Sequence, residues 1–125
     1  GLRIKMRPTV FPVNSVKCMR GAFVALEQGK LVPYAYAAFD AYWGDDKDIS
    51  QDDVMAAIVD KGGLDRAQVF AKIADQSYKD RLKANTDDVI ARGGFGSPTV
   101  FLNGDDMYFG NDRLPLLREA IRRAA

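Results

Sequence analysis

The sequence predicts a mostly helical α+β chain, in which four or five helices precede one β-hairpin and a last helix. Three observations carry this. Apolar residues recur at helical spacing from Ser15 to Arg92. Asn103-Gly104 then lies between the β-prone runs Thr99-Val100-Phe101-Leu102 and Met107-Tyr108-Phe109, a strong hairpin signal. Between these regions stands Gly93-Gly94, a helix stop.

The elements follow in order. Gly1 to Asn14 is expected to be extended, interrupted by Pro8 and Pro12. Ser15 is the expected N-cap of a first helix to about Gln28, stopped by Gly29, with an apolar stripe of Val16, Met19, Ala22, Phe23 and Leu26. Cys18 flanks the stripe and reads as a buried small hydrophobe, since nothing adjacent lowers its pKa. Pro33 suits the first turn of a second helix to about Trp43. Tyr36, Phe39 and Trp43 share one face of it, expected to pack between helices. Gly44-Asp45-Asp46-Lys47-Asp48 is a polar loop without the glycine and distal glutamate of a calcium loop.

Ser50 and Asp53 resemble a capping box opening a helix with Val54, Ala57 and Ile58, which ends near Gly62-Gly63. Asp65 caps a short helix carrying Val69, Phe70 and Ile73. A longer helix follows from about Ser77 to Arg92, with Tyr78, Leu82 and Val89 on one side. After the hairpin, a helix from about Arg113 to Arg123 is expected to take Asp112 as N-cap. This puts Pro115 at the third helical position, and Leu114, Leu117 and Ile121 form the buried stripe. A two-stranded hairpin is not a stable sheet alone, so helices cover it or it belongs to a larger sheet.

Bulk properties limit the function. The 125 residues suffice for one domain with a core. With 47% hydrophobic and 28% charged residues the chain reads as soluble and globular. Its 18 basic and 17 acidic side chains leave a net charge of +1, which gives no electrostatic case for nucleic acid or an anionic membrane. No apolar run approaches membrane-helix length, and no signal peptide is visible, although the chain begins with Gly. One cysteine excludes an internal disulfide and makes a reducing, cytoplasmic setting the expectation. The absence of histidine excludes Ser-His triads and His-ligated metals, and no metal site is expected.

Ser97-Pro98 opens the first strand, and the proline restricts Ser97 to extended geometry. The Ser97 backbone would be free to pair with an extended, peptide-like ligand. The Gly110-Asn111-Asp112 turn would offer helix N-terminal amides to an anion. Gly94-Phe95-Gly96-Ser97-Pro98-Thr99, followed by Met107-Tyr108-Phe109-Gly110-Asn111-Asp112-Arg113-Leu114, resembles the 2-hydroxychromene-2-carboxylate isomerase family. That family belongs to the DsbA-like and kappa-class glutathione transferase branch of the thioredoxin superfamily. Phe11-Pro12-Val13-Asn14, Ala38-Phe39, Ala41-Tyr42-Trp43, Asp48-Ile49, Ala84-Asn85-Thr86 and Ala91-Arg92-Gly93 match in order and spacing, so the resemblance covers essentially the whole chain.

The resemblance implies a thioredoxin-like domain split by a helical insertion. Residues 1–14 would lead into the insertion, 15–92 form it, and 93–125 supply the carboxyl-terminal half of the thioredoxin-like domain. The first strand-helix-strand unit would lie outside this chain, together with the serine that sits beside the glutathione sulfur, leaving no catalytic residue here. The implied activity is glutathione-dependent isomerisation of a hydroxychromene carboxylate to the hydroxybenzylidenepyruvate in aromatic degradation.

By the same resemblance Ser97 precedes a cis-proline, Pro98, and pairs through its backbone with the cysteine of glutathione. Phe109, Gly110, Asn111 and Asp112 hold the γ-glutamyl end. Asn14 contacts a small aromatic substrate, and Ser15 replaces an aromatic residue found in one family member. The implied partners are that substrate and another chain, as a homodimer or through the open sheet edge. A kappa-type transferase and a non-catalytic binding module remain alternatives. So does a thiol–disulfide oxidoreductase, but this chain lacks its Cys-x-x-Cys pair.

Overall fold

A computed structural model describes all 125 residues, Gly1–Ala125, and no helix in it is long and apolar enough to cross a membrane. The chain divides into two compact units, Gly1–Leu82 and Lys83–Ala125.

In the first unit, residues 1–15 form no regular element. Polar groups tie them down. The Lys5 amide donates to the Trp43 carbonyl (2.6 Å), and the Tyr42 hydroxyl donates to the Val10 carbonyl (3.0 Å). Asp46 accepts from the Thr9 amide (2.7 Å), the Thr9 hydroxyl (2.5 Å) and the Lys5 ammonium.

Helix α1 (Val16–Glu27) packs on α2 (Leu31–Phe39) and α4 (Arg66–Ala74), and α2 packs on α3 (Asp52–Lys61). The core of this unit joins Cys18, Val24, Tyr34, Met55, Val59, Val69 and Ile73. The buried face of α1 differs from the expected one. Cys18, Gly21, Val24 and Ala25 face inward, whereas Val16, Met19 and Leu26 are exposed. Small residues are selected here because the fully buried Tyr34 ring needs room. A Cβ at Gly21 would collide with the Tyr34 hydroxyl and Met55 Cε. That hydroxyl donates to the Cys18 carbonyl at 2.7 Å, satisfying a polar group the core could not otherwise hold.

Two caps are corrected. Ser15 makes no side-chain cap bond to α1; Asn14 Oδ1 accepts from the Val16 amide instead (3.2 Å). The Ser50–Asp53 box does not form. The Ser50 hydroxyl and amide donate to Asp48 Oδ1, and α3 begins one residue later with Gln51 as its N-cap. The Asp65 cap forms as expected, accepting from the Gln68 amide at 2.7 Å.

The second helix does not continue regularly to Trp43. After Phe39 it widens into a π-helical turn, Asp40–Gly44, closed by the Asp45 amide on the Asp40 carbonyl (2.8 Å). The expected aromatic face is not an interhelical one either. Tyr36 and Phe39 are 63% and 64% exposed, and Tyr34 and Tyr42 are buried in their place. Spacing groups residues on one face, but packing decides which face is covered.

Helix α5 (Gln76–Ala91) ends at Gly93, whose φ of +83° is a left-handed stop. In the second unit, β1 (Thr99–Leu102) and β2 (Asp106–Phe109) pair antiparallel, Thr99 opposite Phe109 and Leu102 opposite Asp106. The turn has positive φ at Asn103 and Gly104. Arg92 stacks 3.7 Å from the Phe101 ring centroid and bonds the Gly104 carbonyl, bracing the hairpin.

A 3-10 turn, Asn111–Arg113, runs into α6 (Leu114–Ala124). Asp112 therefore lies inside a helical turn and is not the N-cap; Arg113 holds that position, and Pro115 falls at the second helical residue. Nor is the α6 stripe buried, since Leu114 and Ile121 are 55% and 49% exposed and only Leu117 is half-buried. The periodicity is sound, but a two-stranded sheet offers too little surface to cover it.

Candidate functional site

The residues singled out at the carboxyl-terminal end form one continuous structure within the second unit. Ser97–Pro98 is a cis peptide, as is Phe11–Pro12. The Pro98 carbonyl accepts from the Gly110 amide at 2.9 Å, extending the β1–β2 ladder by one bond beyond the Thr99–Phe109 pair. This bond holds the Ser97-Pro98 step beside the Gly110 turn. Behind it, the Phe109 ring lies 4.5 Å from Phe95, centroid to centroid, and covers Gly96, where a Cβ would meet Phe109 Cε2 at 2.6 Å. The Thr99 hydroxyl donates to the Gly96 carbonyl (2.6 Å) and closes the loop.

Gly110 has φ +100° and ψ 148°, backbone that is essentially reserved for glycine. It needs the missing side chain for a second reason, because a Cβ there would stand 2.5 Å from Asp112 Oδ1. The strand thus turns sharply into the 3-10 segment, and the Asn111 and Asp112 amides that begin it have no acceptor in the chain. The Ser97 amide and carbonyl are likewise unpaired, and Ser97, Pro98, Asn111 and Asp112 are all exposed. The chain presents here a short extended backbone, a turn of free amides and one carboxylate. Such a set can pair with a peptide-like ligand and hold both its carboxylate and its ammonium.

Asn14 lies in the first unit and is exposed, and its Oδ1 is engaged in capping α1. The cysteine is buried as expected, and desolvation pushes the Cys18 thiol up, partly offset by the Tyr34 hydroxyl. It is therefore a protonated, inert thiol at neutral pH. The loop aspartates are engaged by protein groups: Asp45 with Arg3, Asp46 with Lys5 and Thr9, Asp48 with Ser50 and Gln51. Reading the sequence did not single out Phe95 or Gly96 as supports of the site. Their signal was the glycine flanked by an aromatic residue, which only the ring of Phe109 explains.

This geometry has relatives. The family described as the DSBA-like thioredoxin domain matches residues 1–122. The chain is similar to 2-hydroxychromene-2-carboxylate isomerase of Pseudomonas sp. (strain C18), 34% identical over 116 residues, 91% of this chain and 54% of the relative. It is similar to the enzyme of the same name from Pseudomonas putida, 32% identical over 118 residues, 93% of this chain and 58% of the relative. Glutathione S-transferase kappa 1 of Rattus norvegicus is 32% identical over 81 residues, 60% of this chain and 36% of that protein. A solved 2-hydroxychromene-2-carboxylate isomerase superposes with a TM-score of 0.76 at 32% identity, covering 94% of this chain and 58% of that one. The chain thus spans little more than half the length of the isomerases it matches. Helices followed by a hairpin and a final helix, the Ser97-Pro98 step joined to the Gly110 turn, and a match over residues 1–122 agree: the chain belongs to the DSBA-like thioredoxin domain family.

Proposed function

We propose that the chain is the glutathione-holding portion of an isomerase of the 2-hydroxychromene-2-carboxylate type, acting in the degradation of aromatic compounds. The observation that carries this is the 2.9 Å bond from the Gly110 amide to the Pro98 carbonyl. It sets the unpaired Ser97 backbone beside the free amides of Asn111 and Asp112. The residues fit the tripeptide. Ser97 would pair with its cysteine backbone along the face shaped by Pro98. The Asn111 and Asp112 amides would take the γ-glutamyl carboxylate, and the Asp112 carboxylate would take the ammonium. Gly110 keeps this cradle free of a side chain, and Phe109 holds the loop that carries Ser97. When bound, glutathione supplies a thiol nucleophile. The similarity to a kappa glutathione transferase supports the choice of cofactor.

In this reading residues 1–14 lead into a helical insertion, 15–92, and 93–125 complete the thioredoxin-like domain. The serine that works on the glutathione sulfur belongs to a part of the enzyme outside this chain, and Asn14 lies toward the aromatic substrate. The unpaired edges of the hairpin suit pairing with another chain, either the rest of the enzyme or a second copy. A buried, unpaired Cys18 suits a reducing cytoplasmic setting.

Calorimetry with glutathione on the 125-residue chain, beside a hydroxychromene carboxylate isomerisation assay, tests the reading. Binding without turnover is expected. Robust glutathione-dependent turnover by this chain alone would refute the assignment of the essential serine elsewhere. No glutathione binding would sink the cofactor assignment. For the enzyme including that missing portion, a stable thioether product would favour a transferase over an isomerase.

A further inference from the structure

The turn that closes the hairpin carries chemistry that the isomerase reading leaves unused. The chain has four asparagines, Asn14, Asn85, Asn103 and Asn111, and only Asn103 is followed by glycine. Asn103 and Gly104 have φ +50° and +104°, the left-handed backbone that a tight hairpin turn demands and these residue types accept. The same pair sets a side-chain amide carbon next to an unshielded backbone nitrogen.

Three observations leave that carbon and that nitrogen free to react. Both residues are exposed. The Gly104 amide donates to no group in the chain, and the Asn103 side chain has no hydrogen-bond partner. A Cβ built on Gly104 would meet nothing within 4 Å, so open space surrounds the position. The other three asparagines differ. Asn14 Oδ1 is held by the Val16 amide. Asn85 lies inside α5, where the following nitrogen belongs to the helix ladder. Asn111 precedes Asp112, whose side chain stands beside its own nitrogen.

We propose that Asn103 is a site of spontaneous covalent modification, at which the chain converts its own turn to isoaspartate. The Gly104 nitrogen bonds to the Asn103 side-chain carbon. The bond from that carbon to the side-chain nitrogen breaks, and ammonia leaves with the Gly104 amide proton. Water then opens the cyclic imide at one of its two carbonyls, giving aspartate or isoaspartate. Nothing is oxidised or reduced, and water is the only co-reactant. Isoaspartate routes the main chain through the former side chain and adds a methylene to the turn. Turn geometry sets hairpin register, and β1 and β2 share only four residue pairs, beginning with Leu102 opposite Asp106. No buried residue holds this unit in their place. The lengthened turn therefore loosens the ladder as far as the Gly110–Pro98 bond. This goes beyond the isomerase reading and does not depend on whether glutathione binds.

Ageing the whole chain at neutral pH in heavy-oxygen water tests the proposal. The tryptic peptide 93–113 holds both Asn103 and Asn111, so it carries its own control. Mass spectrometry should find heavy oxygen entering at Asn103, as separable aspartate and isoaspartate forms, at least about tenfold faster than at Asn111. Asn103→Gly should abolish the reaction and keep the hairpin, because Gly-Gly suits the same turn. The isolated isoaspartate form should lose hydrogen-exchange protection at the Gly110 amide, with the amides of α1 and α4 unchanged. Conversion at Asn103 no faster than at Asn111, aspartate without isoaspartate, or full protection of Gly110 in the isoaspartate form would overturn the proposal.

Discussion

The two units of this chain are stabilised by different means. Every buried apolar side chain lies in Gly1–Leu82, whereas Lys83–Ala125 contains no buried residue. The first unit has an interior, with four helices closing on Tyr34, Met55 and Val59. The second is held by a backbone ladder, the Phe95–Phe109 contact and the Arg92–Phe101 stack. The residues of the proposed glutathione site nonetheless all lie in the second. A unit with a core fixes side chains by packing. A unit without one can fix only what backbone hydrogen bonds and glycine geometry specify, and here that is a strand start and a turn.

Core truncation is the strongest way to break this contrast. Met55 has no exposed surface, and Met55→Ala should cost about 2–5 kcal/mol, as removal of a large buried side chain does. Leu117→Ala, on half-buried α6, should cost less than about 1 kcal/mol. Urea unfolding followed by circular dichroism measures both. Equal losses would mean that the second unit has an interior too.

A change at Gly110 comes next in size and acts on the other unit. Gly110→Ala forces an L side chain into φ +100° and sets its Cβ against Asp112, a strain of about 1–3 kcal/mol. The expected result is loss of glutathione binding by calorimetry, with the helical signal of the first unit unchanged. Retained binding would show that the turn does not hold the ligand.

How much of this was legible depended on whether a local or a tertiary interaction decides the outcome. The Asp65 cap, the Gly93 stop and the Asn103-Gly104 turn are settled within a few residues, and the sequence predicts them correctly. The first helix illustrates the opposite case. Hydrophobicity points to Met19 and Leu26, but the buried face is the small one, Cys18 and Gly21, because Tyr34 approaches from another helix. Tyr36 and Tyr34 differ by two positions and are opposite in burial for the same reason. The α6 stripe is periodic yet exposed, since periodicity does not report whether a covering surface exists. In the candidate site the Ser97-Pro98 step and the Gly110 turn were visible as motifs. Their joining bond was not, because register lies between strands.

The smallest predicted effect sharpens the contrast from within the first unit, where the segment before α1 is held by polar groups and not by the core. Asp46 is the centre of that arrangement. Its bonds to the Lys5 ammonium, then to the Thr9 hydroxyl and amide, lower its pKa from the ordinary 3.8 to about 2. A carboxyl whose folded pKa is depressed stabilises the fold above the unfolded value and loses that contribution as pH falls through the folded one. The tethering is therefore complete above about pH 4 and fades between there and about pH 2. Asp46 also has φ +57°, a left-handed conformation that asparagine accepts readily, so Asp46→Asn removes the charge without straining the backbone. The variant should lose hydrogen-exchange protection at the Thr9 amide while its urea midpoint barely moves, because Met55 and its neighbours are untouched. NMR titration of the carboxyls checks the cause. If Asp46 titrates near 3.8, or if its removal shifts the global midpoint as far as Met55→Ala does, the amino-terminal segment is part of the core and not a strap pinned to its surface.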